Sequence, residues 1–514
     1  MKRAAFALAL MLTGCAPKKP DSPAPPPAPA TDWESASKEA LELLKALIRI
    51  DTINPPQKGS PKKNADETAL CRTVQRLLAD DGIGAEVIES EPGRGNLIAR
   101  IKGSDPSKKA LLMMAHVDVV NVDPVKWKHD PLAAVEEGGY LWGRGTLDDK
   151  GPAAVSIQAM RLVARRKLAL KRDLVLMLNA DEESSGRYGA EFMVKNHWAK
   201  LDPAFVINEG GRIIVKGGAV DTYSIQSGEK IYNDVRIWVR GESGHSSEPR
   251  ANNSVYALAR ILSKLQSHQA PVRINPTVAK HLGALATREK DGAAAALMRA
   301  AAAGDVKAGE ELAAKDPKYN AMLRSTFVPT LVEGGIRENV LPPDASVNVN
   351  IRLLPGEKLN DMIETLARVA NLPRYALIEA SEIDDWRKPL GEWLAAQEKL
   401  QREGAKEGVY EACVVVADRG IDAPASPLDG ELHRAMEKVG REMWPSALVL
   451  PMMGRGATDS RFFRARGVPA YGMLPLPATD EDLKGFHDHN ERVAVSSVGA
   501  GVRYMVRIIE EVCR

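Results

Sequence analysis

The stretch Leu174–Gly186, LVLMLNADEESSG, constrains this chain more than any other. Its apolar run, Leu174–Leu178, breaks into three consecutive carboxylates, Asp181, Glu182 and Glu183, and then into a Ser/Gly turn. A short unbroken apolar run bounded by turn residues reads as a parallel strand buried on both faces. In open α/β sheets, ligands bind in the crevice at the carboxyl ends of the strands. Three acids at such an end repel one another and resist joint ionisation unless a cation holds them. A solvated acidic turn accounts for the stretch equally well when it is taken alone. Ligand-type residues at other strand ends decide between the two.

Three other strand ends supply them. Ala110–Val120 is strongly apolar and carries His116 and Asp118 near its end. Residues two apart on a strand share a face, so Asp118 can orient His116 while His116 binds a metal. Trp142–Gly151, WGRGTLDDKG, places Asp148 at the end of a glycine-rich loop, and Pro152 suits the first turn of a helix running to about Arg166. An Asp there also serves as an N-cap; with His116 and Glu183 at neighbouring strand ends, the ligand role is favoured. Phe205–Gly211 is a further strand end and carries Glu209. Strand–turn–helix units that each end in His, Asp or Glu predict an α/β domain, its mostly parallel sheet covered by helices on both faces.

The middle of the chain changes character. Ile231–Arg240 and Ser346–Arg352 alternate apolar and polar residues as half-buried antiparallel strands do. Between them lie a helix, about Asn253–Gln266, and an Ala-rich helical region, roughly Asp291–Ala314. With 514 residues the chain is long enough for two or three domains. We read residues 33–221 as the first part of an α/β domain, 222–423 as an inserted α+β domain, and 424–514 as the second part. The region from about His268 to Ser325 reads as a helical insertion.

The N-terminus reads as an export signal. Lys2 and Arg3 precede a short apolar stretch, Ala4–Leu12, and Leu12-Thr13-Gly14-Cys15 stands where a cleavage site belongs. Those four residues resemble a bacterial lipobox. The expectation is removal of residues 1–14, lipidation at Cys15, and a Pro-rich tether over 15–32 that holds the protein to the cell envelope, facing the periplasm. Lys+Arg 70 against Asp+Glu 68, with aromatics at 5%, argues against a nucleic-acid surface. The four cysteines lie far apart with no Cys-x-x-Cys pair, so any metal must be held by His and carboxylate.

Taken together, His116-x-Asp118, Asp148 in GRGTLDDKG, Glu182-Glu183, Glu209 and His487 resemble the aminoacylase / carboxypeptidase S / succinyl-diaminopimelate desuccinylase family of dinuclear zinc peptidases. The resemblance covers residues 36–514, and the segments TDSRFFRARGVPAYG and GFHDHNERV are similar to its carboxypeptidase S and aminoacylase branch. It implies that Asp148 bridges two zincs, with His116 and Glu209 completing one site and Glu183 and His487 the other; cobalt or manganese would suit the same donors. It further implies that Asp118 supports His116 and that Glu182 is the general base. The family's His-x-x-x-Glu spacing, matched here by the pair ending at Glu491, implies His487 rather than His489. The resemblance also implies that 33–221 and 424–514 form the catalytic domain and that 222–423 is a ferredoxin-like lid or dimerisation domain, whose helical insertion either affects dimerisation or covers the site. In it His245 of GESGHSSEP is similar to a family residue that polarises the scissile carbonyl, supplied by domain closure or by a dimer partner. Asn339 and Arg352 match positions that grip the substrate's carboxylate end, and Arg461 is a further candidate. A plain surface arginine is the alternative for Arg352.

The implied function is hydrolysis of an amide bond next to a free carboxylate, in a dipeptide or an N-acyl amino acid. Two rivals stay open: an aminopeptidase-like dinuclear hydrolase, against which the arginines argue, and a solute-binding lipoprotein without catalysis, which has no need of Glu182.

Overall fold

A computed structural model describes residues 31–55, 65–372, 375–380, 387–402 and 412–514. The expected export signal, Cys15 and most of the Pro-rich tract lie outside the described residues. Four parallel strands form the centre of the larger sheet: Leu174–Asn179, Ala110–His116, Pro203–Asn208 and Ala470–Gly472, in that spatial order. Antiparallel strands flank this centre. Ala85–Glu89 and Gly95–Ile101 lie beyond Leu174–Asn179. On the other side Ala219–Glu229 follows Ala470–Gly472 and pairs in parallel with the outermost strand, Leu448–Gly454.

The unbroken apolar runs are explained by burial on both faces. Leu111, Met113, Leu174 and Leu176 pack on one side with the helices Trp33–Ile48, Lys150–Arg165 and Val495–Cys513. Their neighbours Leu112, Met114, Val175 and Met177 pack on the other side with Met193, Phe462 and Phe463. The register brings the strand ends level: His116 pairs with Asn179, and Gly472 with Asn208. The turns after these strands therefore emerge together at one edge of the sheet.

The second domain is a five-stranded sheet ordered Thr326–Gly334, Asp344–Leu353, Ile231–Arg240, Ala412–Asp418, Ala376–Glu379. Its first four strands are antiparallel in the ferredoxin-like order, with helices Ser254–Gln266 and Leu359–Ala370 packed on one face. Two features depart from the sequence reading. The fifth strand is parallel to its neighbour, and its helix Arg387–Arg402 packs on the opposite face, where Trp393 meets Trp238 at 5.7 Å. The junction expected at 221/222 moves to Lys230, because Ala219–Glu229 is hydrogen-bonded into the catalytic sheet and the lid begins with Ile231.

The helical insertion is four helices within residues 276–323. Its apolar residues Val278, Leu282 and Met298 cluster with Met453, and His281 Nδ1 bonds Pro451 O at 2.8 Å. Arg288 bonds Asp221 as well as Ser446 O, and Thr277 meets Ser227. The insertion thus straps the lid segment to the outer edge of the catalytic sheet, along strand Leu448–Gly454. No helix among the described residues is long and apolar enough to cross a membrane.

Candidate active site

His116 closes its strand and is fully buried. Its Nε2 meets Asp148 Oδ1 at 3.0 Å, and its Nδ1 meets the backbone oxygen of Asp118 at 3.0 Å. The other oxygen of Asp148 meets His487 Nε2 at 2.9 Å, and the same Nε2 lies 3.2 Å from Glu183 Oε2. Asp148 thus bridges the two histidines. The N-cap alternative does not describe it: the cap position of the helix Lys150–Arg165 is Asp149, and no side chain bonds there.

Potential ligand atoms of His116, Asp148 and Glu183 lie within 4.8 Å of one another, as do those of His116, Glu182 and Glu209. Burial, then mutual charge, pushes Glu182 and Glu209 well above the ordinary carboxylate range and Glu183 to about 6. Hydrogen bonds to Asp148 and Glu183 raise His487 to about 10. Glu183 Oε1 is buried with no hydrogen-bond partner. A cluster that holds protons this tightly and keeps a donor oxygen free is short of positive charge. Two divalent ions fit it, and imidazole with carboxylate is a donor set for zinc and its neighbours.

The surroundings hold these candidate ligands in place, and four of the partners, Asn54, Arg94, Glu67 and Arg144, were not singled out by the sequence. Asp118 does more than orient His116: its carboxylate accepts from Asn54 Nδ2 at 2.8 Å and from the backbone N–H groups of Glu182 and Glu183, both at 3.1 Å. Asp181, first of the acidic triplet, turns away from the cluster. It adopts φ +69° and is paired with Arg94 Nη2 at 2.5 Å, while Arg94 Nη1 meets buried Glu67 at 2.9 Å. Glu491 is fully buried and accepts from Arg144 Nη1 at 2.8 Å and from the N–H groups of Gly145, Leu147 and Asp148. It fixes the loop that presents Asp148. The acid in His-x-x-x-Glu was visible in the sequence; its four donors were not. His489 stays out of the cluster, 3.5 Å from Asp488.

Beside Glu182, Glu183 and His487 a cleft of about 690 Å³ opens between the two domains. Arg352 and Arg461 line it, with Arg187, Lys230, Tyr232 and Asp418. Arg352 is half-buried over the Tyr232 ring at 4.2 Å, so it is a cleft residue and not a plain surface arginine. Arg461 donates to Ser185 O at 2.8 Å. His245 and Asn339 are brought together elsewhere: Gly244–His245 pairs with Val340–Leu341, and Ser246 N–H donates to Asn339 O at 3.1 Å. Both side chains are exposed on the lid, and neither lines the cleft beside the candidate ligands.

A model of the peptidase family M20/M25/M40 matches residues 112–511. Human N-fatty-acyl-amino acid synthase/hydrolase PM20D1 is 26% identical over 481 residues, covering 91% of this chain and 87% of that protein. Human aminoacylase-1 is 25% identical over 480 residues, covering 91% and 94%. Among solved structures, an M20 family metallo-carboxypeptidase from Sulfolobus solfataricus superposes with a TM-score of 0.63 at 19% identity, over 92% of this chain and 99% of that one. Human carnosine dipeptidase 1 gives 0.61 at 15% identity, over 94% and 99%. These two share the fold. The family match, which spans more than half of the sequence and every candidate ligand from His116 to His487, shows that the chain belongs to the peptidase family M20/M25/M40.

Proposed function

We propose that this protein cleaves the amide bond next to a free carboxylate in N-acyl amino acids or dipeptides, using two zinc ions. It is a metal-dependent hydrolase of peptide or N-acyl amide bonds, and relatives named aminoacylase, carboxypeptidase and dipeptidase support that class. The observation that carries the finer reading is Asp148 bridging His116 and His487, with Glu182 and the arginine-lined cleft beside them.

His116, Asp148, Glu183, Glu209 and His487 would hold the metal ions, which would supply a water of lowered pKa and polarisation of the carbonyl. Asp148 turns one oxygen to His116 and the other to His487. Asp118 holds the Glu182–Glu183 backbone, so the base and a ligand are set by one carboxylate. Glu182 takes the proton of the attacking water and returns it to the leaving amine. Arg352 and Arg461 receive the substrate's carboxylate; guanidinium suits that group bidentately. His245 and Asn339 are exposed on the lid, which supports their delivery to the substrate by closure or from a second copy of the chain. Export and anchorage through Cys15 are part of the same reading: amide hydrolysis at the envelope, with the lipid as the membrane contact. Labelling of the chain with radioactive palmitate, lost in Cys15→Ala, tests the anchor.

The test of function is amino-acid release from a panel of dipeptides and N-acyl amino acids, short- and long-chain. It uses the zinc-loaded protein beside Glu182→Gln. Hydrolysis by the parent should fall about 10²–10⁴-fold in the variant with metal content unchanged. Equal turnover by both proteins, or none by the parent, refutes the reading.

A further inference from the structure

The junction between the two domains carries a lysine that the hydrolysis does not use. Lys230 lies between the last residue of the catalytic strand Ala219–Glu229 and the first of the lid strand Ile231–Arg240. Its backbone N–H donates to Gly454 O at 3.0 Å, in the catalytic sheet. Its ammonium reaches Thr326 Oγ1 at 3.2 Å, in the lid. The residue is 2% exposed, yet it lines the cleft that holds Glu182 and Arg352.

A buried ammonium ordinarily has a carboxylate partner. Among the described residues none is paired with Lys230, and none is paired with Arg352. The two cations are drawn together: Thr326 faces Arg352 in the lid-sheet register, and Lys230 bonds Thr326. Asp234, an acid of the same cleft, is occupied by Tyr232, Asn348 and Asn350. Burial, and then the charge of Arg352, presses Lys230 down to about 7, with Glu357 acting the other way.

We propose that Lys230 is a substrate-binding residue which, with Arg352, seats the substrate's free carboxylate at the hinge. This rests on the reading that the substrate carries such a carboxylate. The ammonium is bonded to the lid while its backbone is bonded to the catalytic sheet, so the seated group contacts both domains through one residue.

The experiment measures inhibition of the zinc-loaded full chain by N-acetylleucine analogues that are not cleaved, each as the free acid and as its carboxamide. The parent should prefer acid over amide, and Lys230→Met should lose about 30-fold of that preference, the low end for removing one partner of a buried charge pair. Lys230→Arg should keep the preference to within about threefold. If Lys230→Met does not fold, Lys230→Gln is read in the same way. An unchanged acid-to-amide ratio in the neutral variant overturns the assignment while hydrolysis by the parent leaves the function standing. Loss of preference in Lys230→Arg as great as in Lys230→Met also overturns it, since that outcome marks a packing role. A parent that hydrolyses neither N-acyl amino acids nor dipeptides and does not distinguish acid from amide refutes the functional reading, and this assignment with it.

Discussion

Glu491 offers a sharp check on how the metal site is built. Its carboxylate is 0% exposed and accepts from Arg144 at 2.8 Å, Gly145 N–H at 2.8 Å, Leu147 N–H at 2.6 Å and Asp148 N–H at 3.1 Å. In Glu491→Ala the Arg144 guanidinium, itself 1% exposed, keeps its bond to Asp488 O but loses its counter-charge. Leaving one member of a buried pair alone costs about 3–5 kcal/mol. Each stranded N–H adds to this, about 1–3 kcal/mol where no water replaces the lost oxygen. Water entering the vacated space offsets part of that addition. We therefore expect a loss of about 4 kcal/mol, measured by urea denaturation of the metal-free protein. The loop that presents Asp148 loses its anchor in the same step, so metal affinity should fall about 10–100-fold in a competition titration. Replacing both members of the pair, Arg144→Met with Glu491→Leu, should recover about 2 kcal/mol or more of the stability without recovering the affinity. A loss under about 1 kcal/mol, with metal binding unchanged, would refute the assignment of Glu491 as the loop's anchor.

Asp118→Asn places an amide among three donors, Asn54 Nδ2 and the N–H groups of Glu182 and Glu183; metal affinity by calorimetry should drop about 10–100-fold. Chelation should lower the melting temperature, and saturating zinc should restore it, because a ligand at about 1,000 times its Kd adds about 4 kcal/mol; identical melting curves would refute the metal site. His433 is fully buried with neither ring nitrogen bonded, and burial, followed by the Lys280 charge, holds it down to about 4. The unfolded imidazole protonates near 6.5 while the folded one stays neutral, so its share of stability is complete above about pH 6.5 and is lost as pH falls towards 4, up to about 3 kcal/mol. His433→Phe should remove that slope from urea midpoints measured across the window, and a parallel pH dependence in the two proteins would exclude it.

The strand ends were legible because a parallel strand buried on both faces leaves an unbroken apolar run, and a polar residue at its end can point only into the crevice. His116, closing Ala110–His116, and Glu209, just after Pro203–Asn208, obey this logic. What the sequence concealed depends on distance along the chain. Asp181 looked like one more member of an acidic cluster, because its partner Arg94 lies 87 residues away and carries no local signal. The start of the inserted domain moved by nine residues, from 222 to 231, because Ala219–Glu229 gives no local sign of which sheet it joins. The polar alternation that marked the lid strands identified the lid but not Lys230, whose significance arises only when Thr326 and Arg352 are brought beside it.

The strap formed by residues 276–323 also limits how the two domains can move. A lid joined to its base by two neighbouring crossings, here near Lys230 and near residues 420–423, is free to swing and to twist about them. A third attachment, from His281 and Arg288 to the outer strand and its flanks, should restrict that freedom. We expect it to favour rotation about a line running along the sheet edge, like a door hung on two hinges set apart. Motion of that kind changes the width of the cleft at its mouth much more than at its root, where Lys230 sits. Substrates should therefore differ widely in the part that reaches outward and little in the part held at the root.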